Sequence, residues 1–371
     1  MIDAEFVGGA VLGRDGLEDR SLRICEGVIE EGGAARQIDV AGFRLLPGIV
    51  DLHGDGFEKH VAPRRGAMKD MGGGILAAEA EIAANGIATA VMAQFVSWEG
   101  GLRDEAFADT FFMALQDVAP ITHLIPQLRF ETNLLDLYEG LPEKIARWAV
   151  PYVVFNDHLP HARLAKGQRP KSLTGQALKA GRNPEKHYEF LLRLHAGRAA
   201  VPAALDALCP KLAAMGVCMG SHDDNTAAQR NIWLARGVQI AEFPETLEAA
   251  EEEGDVILGA PNVVRGGSHK GNVSALDLVL MGQGDALASD YHYPSPRRAG
   301  LFLAKTIGLP AAWALLSEGP ARVLGLQDRG RLEPGLRADV VFLDAEDRVA
   351  GTLSGGRFSF LRGDLAERLL A

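Results

Sequence analysis

Short apolar runs recur along the middle of the chain, separated by longer stretches with helical spacing. Residues 45–52 (Leu-Leu-Pro-Gly-Ile-Val-Asp-Leu), 87–92, 122–130, 152–155, 217–220, 238–241, 256–259 and 286–289 each read as a buried strand. Connectors such as 74–85 and 246–253 are rich in Ala, Leu and Glu and favour helix. Eight strand–helix units predict an α/β fold built as a closed parallel (β/α)8 barrel of the TIM type. A doubly wound open sheet is the competing architecture, but the chain has no Gly-x-Gly-x-x-Gly or P-loop pattern to support it.

The two ends are patterned differently. Residues 24–31 place apolar positions between polar ones until Gly32-Gly33 breaks the run. Near the other end, the turn-rich stretch 330–339 leads into Val340-Val341-Phe342-Leu343. Two β-rich ends predict one small β-sandwich domain formed by residues 1–45 and 328–371, with the barrel spanning 46–327.

Composition narrows the class. The 371 residues, 47% hydrophobic and 23% charged, suit one large globular barrel with an appendage. No apolar run reaches the ~18–20 residues of a membrane span. The first sixteen residues include Asp3, Glu5, Arg14 and Asp15 and lack the basic-then-apolar order of a signal peptide, so a cytoplasmic location is expected. Cys25, Cys209 and Cys218 form no CxxC pair, which fits a reducing compartment. The net charge of −11 argues against nucleic acid or a membrane surface as partner. Against that balance, residues 161–198 hold nine Lys or Arg and only two Glu, a net of +7. This segment reads either as a solvated helical hairpin or as a basic lid over a polyanionic ligand.

Candidate chemistry follows from the barrel. Residues just past the C-terminal ends of its strands meet at one mouth. The expected group there is His53 and Asp55 after strand one, Glu131 after strand three, Asp157 and His158 after strand four, and His222, Asp223 and Asp224 after strand five. Glu242 ends strand six, Arg265, His269 and Lys270 follow strand seven, and Asp290 ends strand eight. Carboxylates so gathered repel one another unless a cation joins them. His-x-Asp puts two ligands on one face of a strand. The His and carboxylate set suits a divalent ion, with zinc first and Mn²⁺ or Fe²⁺ as alternatives. Asp290 is the candidate ligand and proton acceptor; Asp157 and Asp223, each beside a histidine, are candidates to orient the ligands or are simply solvated. Lys59, Arg64 and Arg65 after strand one, with Arg265, His269 and Lys270, are candidate grips for a phosphorylated substrate. Serine and cysteine nucleophile motifs are missing from the sequence.

The strand-one stretch Leu46-Pro-Gly-Ile-Val-Asp-Leu-His-Gly-Asp55 resembles the amidohydrolase superfamily, and Leu332-Glu-Pro-Gly-Leu-Arg-Ala-Asp-Val340 resembles its return into the small β-sandwich. Residues 214–224, 240–250 and 259–273, with Ala288-Ser-Asp-Tyr291, are similar to a narrower group, the α-D-ribose 1-methylphosphonate 5-triphosphate diphosphatase family of phosphonate catabolism. The resemblance implies hydrolysis of a 5-triphosphate to the 5-phosphate and pyrophosphate. It implies metal ligands at His53, Asp55, Glu131, His158, His222 and Asp290, with His222 and Asp290 catalytic and Glu131 bridging where other superfamily members use a carboxylated lysine. One ion or two would satisfy it, and a homo-oligomer is implied because amidohydrolases often assemble. The chain departs from the family at the mouth, where Gly54-Asp55-Gly56 and Pro160-His161-Ala162 replace the expected residues. Two other functions fit the sequence in part: a deacylase or deaminase acting on a C–N bond, and an assembly protein without catalysis.

Overall fold

A computed structural model describes residues 1–33, 36–63, 70–266 and 272–370. Its centre is an eight-stranded sheet whose neighbours in space are neighbours in sequence. The strands are Ile49–Gly54, Ile87–Val96, His123–Glu131, Tyr152–Asn156, Cys218–His222, Ile240–Glu242, Asp255–Gly259 and Ala286–Ala288. All ladders between them are parallel, as helical crossovers require. The first and last strands meet through a bridge between Gly54 and Asp290. Asp51 reinforces that seam by accepting from the Ser289 backbone N–H at 2.8 Å and from its hydroxyl at 2.6 Å. Burial pushes the Asp51 carboxyl up to about 6, while the serine contacts work the other way.

The barrel interior is filled by side chains. Leu52, Val91, Tyr152, Val154, Ile240 and Ile257 belong to one buried cluster inside the ring. A second, larger cluster joins the strands to the helices outside; Phe57, Phe111, Phe112 and Trp148 are among its bulky members. Helices Met71–Ala84, Glu105–Asp117 and Ala227–Ala235 start at side-chain caps from Asp70, Asp104 and Thr226. The helical run expected over 246–253 is shorter, Leu247–Ala250. Three successive glutamates follow it, and Gly254 turns the chain with φ +105° so close to Gln239 that no side chain would fit.

The ends of the chain build two further sheets. One has four strands in the order Val28–Glu30, Leu22–Cys25, Ala4–Val7, Gln37–Asp39. The other has six, running Arg357–Leu361, Val349–Ser354, Val340–Leu343, Arg44–Pro47, Ala10–Leu12, Leu17–Asp19. Between them Phe6, Ile24, Leu45, Phe342 and Leu353 form a separate core. The chain passes from this sandwich into the barrel at Gly48, where a Cβ would lie 2.6 Å from that of Ala88. Among the described residues, no helix is long and apolar enough to cross a membrane.

Candidate metal centre at the barrel mouth

The strands deliver their polar residues to one end. Along strand three, Gln127, Arg129 and Glu131 alternate with Leu128 and Phe130, so the polar set faces the interior. All three are buried. His53 and Glu242 are buried as well, and His222 is nearly so. Three non-glycine residues at the ends of strands five, six and eight are left-handed: Asp223 (φ +59°), Phe243 (φ +55°) and Asp290 (φ +56°). Aspartate tolerates this region; phenylalanine rarely occupies it, and such positions collect at functional sites. Phe243 uses the turn to set its ring edge-on against both His53 and His222, with centroids 5.1 and 5.2 Å apart.

Two triangles of donor atoms share His222. His53, His222 and Glu242 form one; His158, His222 and Asp223 form the other. Glu242 is fixed by Tyr152, which donates its hydroxyl at 2.6 Å, and by the Gln127 amide at 2.9 Å. Its other oxygen lies 2.7 Å from His53 Nδ1 but off the hydrogen-bonding direction. Both ring nitrogens of His53 and Nδ1 of His222 are buried without an aligned partner. Buried imidazoles are ordinarily satisfied. Unpartnered nitrogens facing carboxylates are what a divalent cation would complete, so these residues fit a metal.

The electrostatics divide the donors. Burial and the Arg129 cation push His222 down to about 4, leaving the ring neutral, as a metal ligand must be. Burial would raise the Asp223 carboxyl, but His222 and His158 outweigh it and hold it far below the usual range. Burial would lower His158, yet Asp223 and Glu131 push it up to about 9, so this ring is a cation at neutral pH and would have to release a proton to ligate a metal. Burial raises Asp290 above an ordinary aspartate, against the pull of His53. The backbone of Asp290 is held by strand one: its N–H donates to His53 O, and its carbonyl accepts from Asp55 N, both at 2.9 Å.

The sequence-predicted residues divide into groups. His53, Asp55, His158, His222, Asp223 and Asp290 gather at the mouth. Glu131 is close by, but both its oxygens face His158 and Trp98: His158 Nδ1 at 2.6 Å, the His158 backbone N–H at 3.1 Å and Trp98 Nε1 at 3.2 Å. Asp157 turns outward to Asn133 and His161. Lys59 pairs with Glu81 at 2.8 Å, away from the donor triangles. Arg265 donates to the Tyr291 hydroxyl at 2.5 Å beside the mouth. Arg64, Arg65, His269 and Lys270 lie outside the described residues.

Sequence reasoning left Arg129, Phe243 and Trp98 unassigned and gave Glu242 no role. The alternation in strand three could have found Arg129. A cleft of about 170 Å³ opens on this group, lined by Arg129, His222, Asn262, Asn272, Asp290 and Tyr291 among others. A roomier cleft of about 1050 Å³, between Leu12, Arg20, Trp313 and Leu332, contains none of the candidate ligands.

The chain is 32% identical over 368 residues to the α-D-ribose 1-methylphosphonate 5-triphosphate diphosphatase of Escherichia coli K12, an alignment spanning 94% of each chain. This chain belongs to that diphosphatase family, within the amidohydrolase superfamily. No family model matches the chain. Solved structures share the fold of this family member at lower identity. An N-acetylglucosamine-6-phosphate deacetylase from Pasteurella multocida superposes with a TM-score of 0.64 at 11% identity, covering 96% of this chain and 99% of that one. A β-aspartyl dipeptidase from Fervidobacterium islandicum gives 0.60 at 13%, covering 98% and 99%.

Proposed function

We propose that this hydrolase cleaves the 5-triphosphate of a ribose 1-phosphonate, releasing pyrophosphate and leaving the 5-phosphate, as its E. coli relative's name describes. The observation that carries the reading is the 32% identity extending over 94% of both chains. The donor set supports a divalent ion, zinc first, held by His53, His158, His222, Asp223, Glu242 and Asp290 in some combination. Such an ion, when bound, makes water a nucleophile at neutral pH and offsets charge developing on phosphoryl oxygens.

The chain's own residues do the rest. Asp290, raised by burial, accepts the proton of the attacking water. Glu131 fixes the ring of His158 through Nδ1, so that its other nitrogen is offered to the mouth, while Glu242 stands 2.7 Å from His53 Nδ1 as a neighbouring donor. Arg129, Asn262 and Asn272 present donors to phosphate oxygens along the cleft. One P–O–P bridge breaks, and the water oxygen ends on one of the two products. Arg265 at the rim, where it donates to the Tyr291 hydroxyl, opposes the substrate's negative charge in a protein that is otherwise acidic.

The test is pyrophosphate release from ribose 1-methylphosphonate 5-triphosphate by metal-loaded protein, by chelated protein and by protein reloaded after chelation. Release that disappears on chelation and returns with the metal is expected. Ammonia or free amine released from amides, with no action on triphosphates, would replace this reading with a C–N hydrolase.

A further inference from the structure

Arg129 stands where a purely metal-filled centre would leave room for an ion. Its Nη2 lies 2.8 Å from His222 Nε2 and 3.3 Å from Asn156 Oδ1, and its Nη1 lies 3.5 Å from Asp55 Oδ2. Only 4% of the residue is exposed. Its guanidinium also lies 3.9 Å from the centroid of the Phe95 ring, and that ring carries Arg103 at 4.1 Å as well. Arg103 is in turn tied to Glu58 and Glu99, so the stack is braced on both sides. Arg129 is therefore held in place and is not a surface cation that happened to fold inward.

A guanidinium is a permanent cation with donors only. It takes the outer nitrogen of His222, and its charge faces Asp55, two of the groups a second divalent ion would need. An ion placed among them would meet a like charge a few ångströms away in a poorly solvated mouth, where such repulsion is strong. The donors left to a metal are those Arg129 does not touch: His53, Glu242, His158, Asp223, Asp290 and Nδ1 of His222.

We infer that Arg129 is the built-in second cation of this centre, and that each chain binds one divalent ion where two would otherwise fit. The inference rests on the metal-centre reading above and refines it. Its logic is charge balance: the carboxylates of the mouth are neutralised partly by a residue that cannot be chelated away.

The experiment is metal counting by plasma mass spectrometry on full-length protein saturated with Mn²⁺ or Zn²⁺ and then freed of excess ion. Electron paramagnetic resonance of the Mn²⁺ form serves as a second readout. Wild type should hold one ion per chain and show no spin-coupled manganese pair. Arg129→Lys, which keeps a cation, should stay at one; Arg129→Gln, which removes it, should rise toward two and gain the coupled signal. Two ions in wild type would overturn the inference, whether or not the variants fold, and would leave the triphosphatase reading intact. One ion in a folded Arg129→Gln protein would also overturn it, because something other than the arginine would then set the count. No bound ion in wild type would remove the metal-centre reading itself.

Discussion

Glu131 grips His158 with both carboxylate oxygens, one at 2.6 Å from Nδ1 and the other at 3.1 Å from the backbone N–H of the same residue. A third contact comes from Trp98 at 3.2 Å, to a group with no exposed surface. The carboxylate thus sets both the ring orientation and the loop that carries it. In Glu131→Gln the charge that favours one ring orientation is gone, while size and most contacts stay. Affinity for the divalent ion should fall by about 10- to 100-fold, with the melting temperature nearly unchanged. Competition against a chromophoric chelator measures this. Wild-type affinity in the variant would show that the pair is only structural.

Asp290 has its backbone pinned by strand one and its carboxyl raised by burial. Asparagine tolerates the same left-handed backbone and can keep both main-chain bonds. Asp290→Asn should therefore fold normally, yet lose on the order of 10²-fold or more in kcat, the size of a general-base contribution. Steady-state pyrophosphate release, read beside circular dichroism melts, checks both halves. Full turnover would remove Asp290 from the chemistry.

His123 begins strand three, at the end of the barrel remote from the donor triangles. Burial first, and then Arg329 and Arg337, push it down to about 4 from the ordinary 6.5. Arg329 donates to its Nδ1 at 2.9 Å, a contact open only to the neutral ring. The unfolded chain takes up this proton at a higher pH than the folded one. The histidine's contribution is thus intact above about pH 6.5 and is lost as the pH falls toward 4. The melting temperature of wild type should fall more steeply across that window than that of His123→Gln, which cannot be protonated. Parallel curves would mean that other groups set the acid limb.

All eight barrel strands were legible as apolar runs because each is buried on both faces, which makes composition a sufficient signal. The helix over 246–253 was over-read because Ala and Glu suit a helix locally, while the like-charged glutamates and the tight approach of Gly254 to Gln239 end it early. The histidines and aspartates at strand ends were legible because their chemistry stands out against apolar neighbours. Arg129 was hidden by the opposite effect. One cation within a strand reads as a solvated face until its alternation with Leu128 and Phe130 shows which way it points. Phe243 was invisible, since its role depends on a left-handed turn and two ring contacts that residue type alone does not encode.

The six-stranded sheet places Arg44–Pro47, which leads straight into the barrel's first strand, beside Val340–Leu343 from the far end of the chain. During synthesis that early segment keeps one open hydrogen-bonding edge until residues 340–343 have left the ribosome. The clasp at the base of the first barrel strand is therefore one of the last parts to close. Until then the nascent chain presents one unpaired strand edge to its neighbours, the other being covered by Ala10–Leu12.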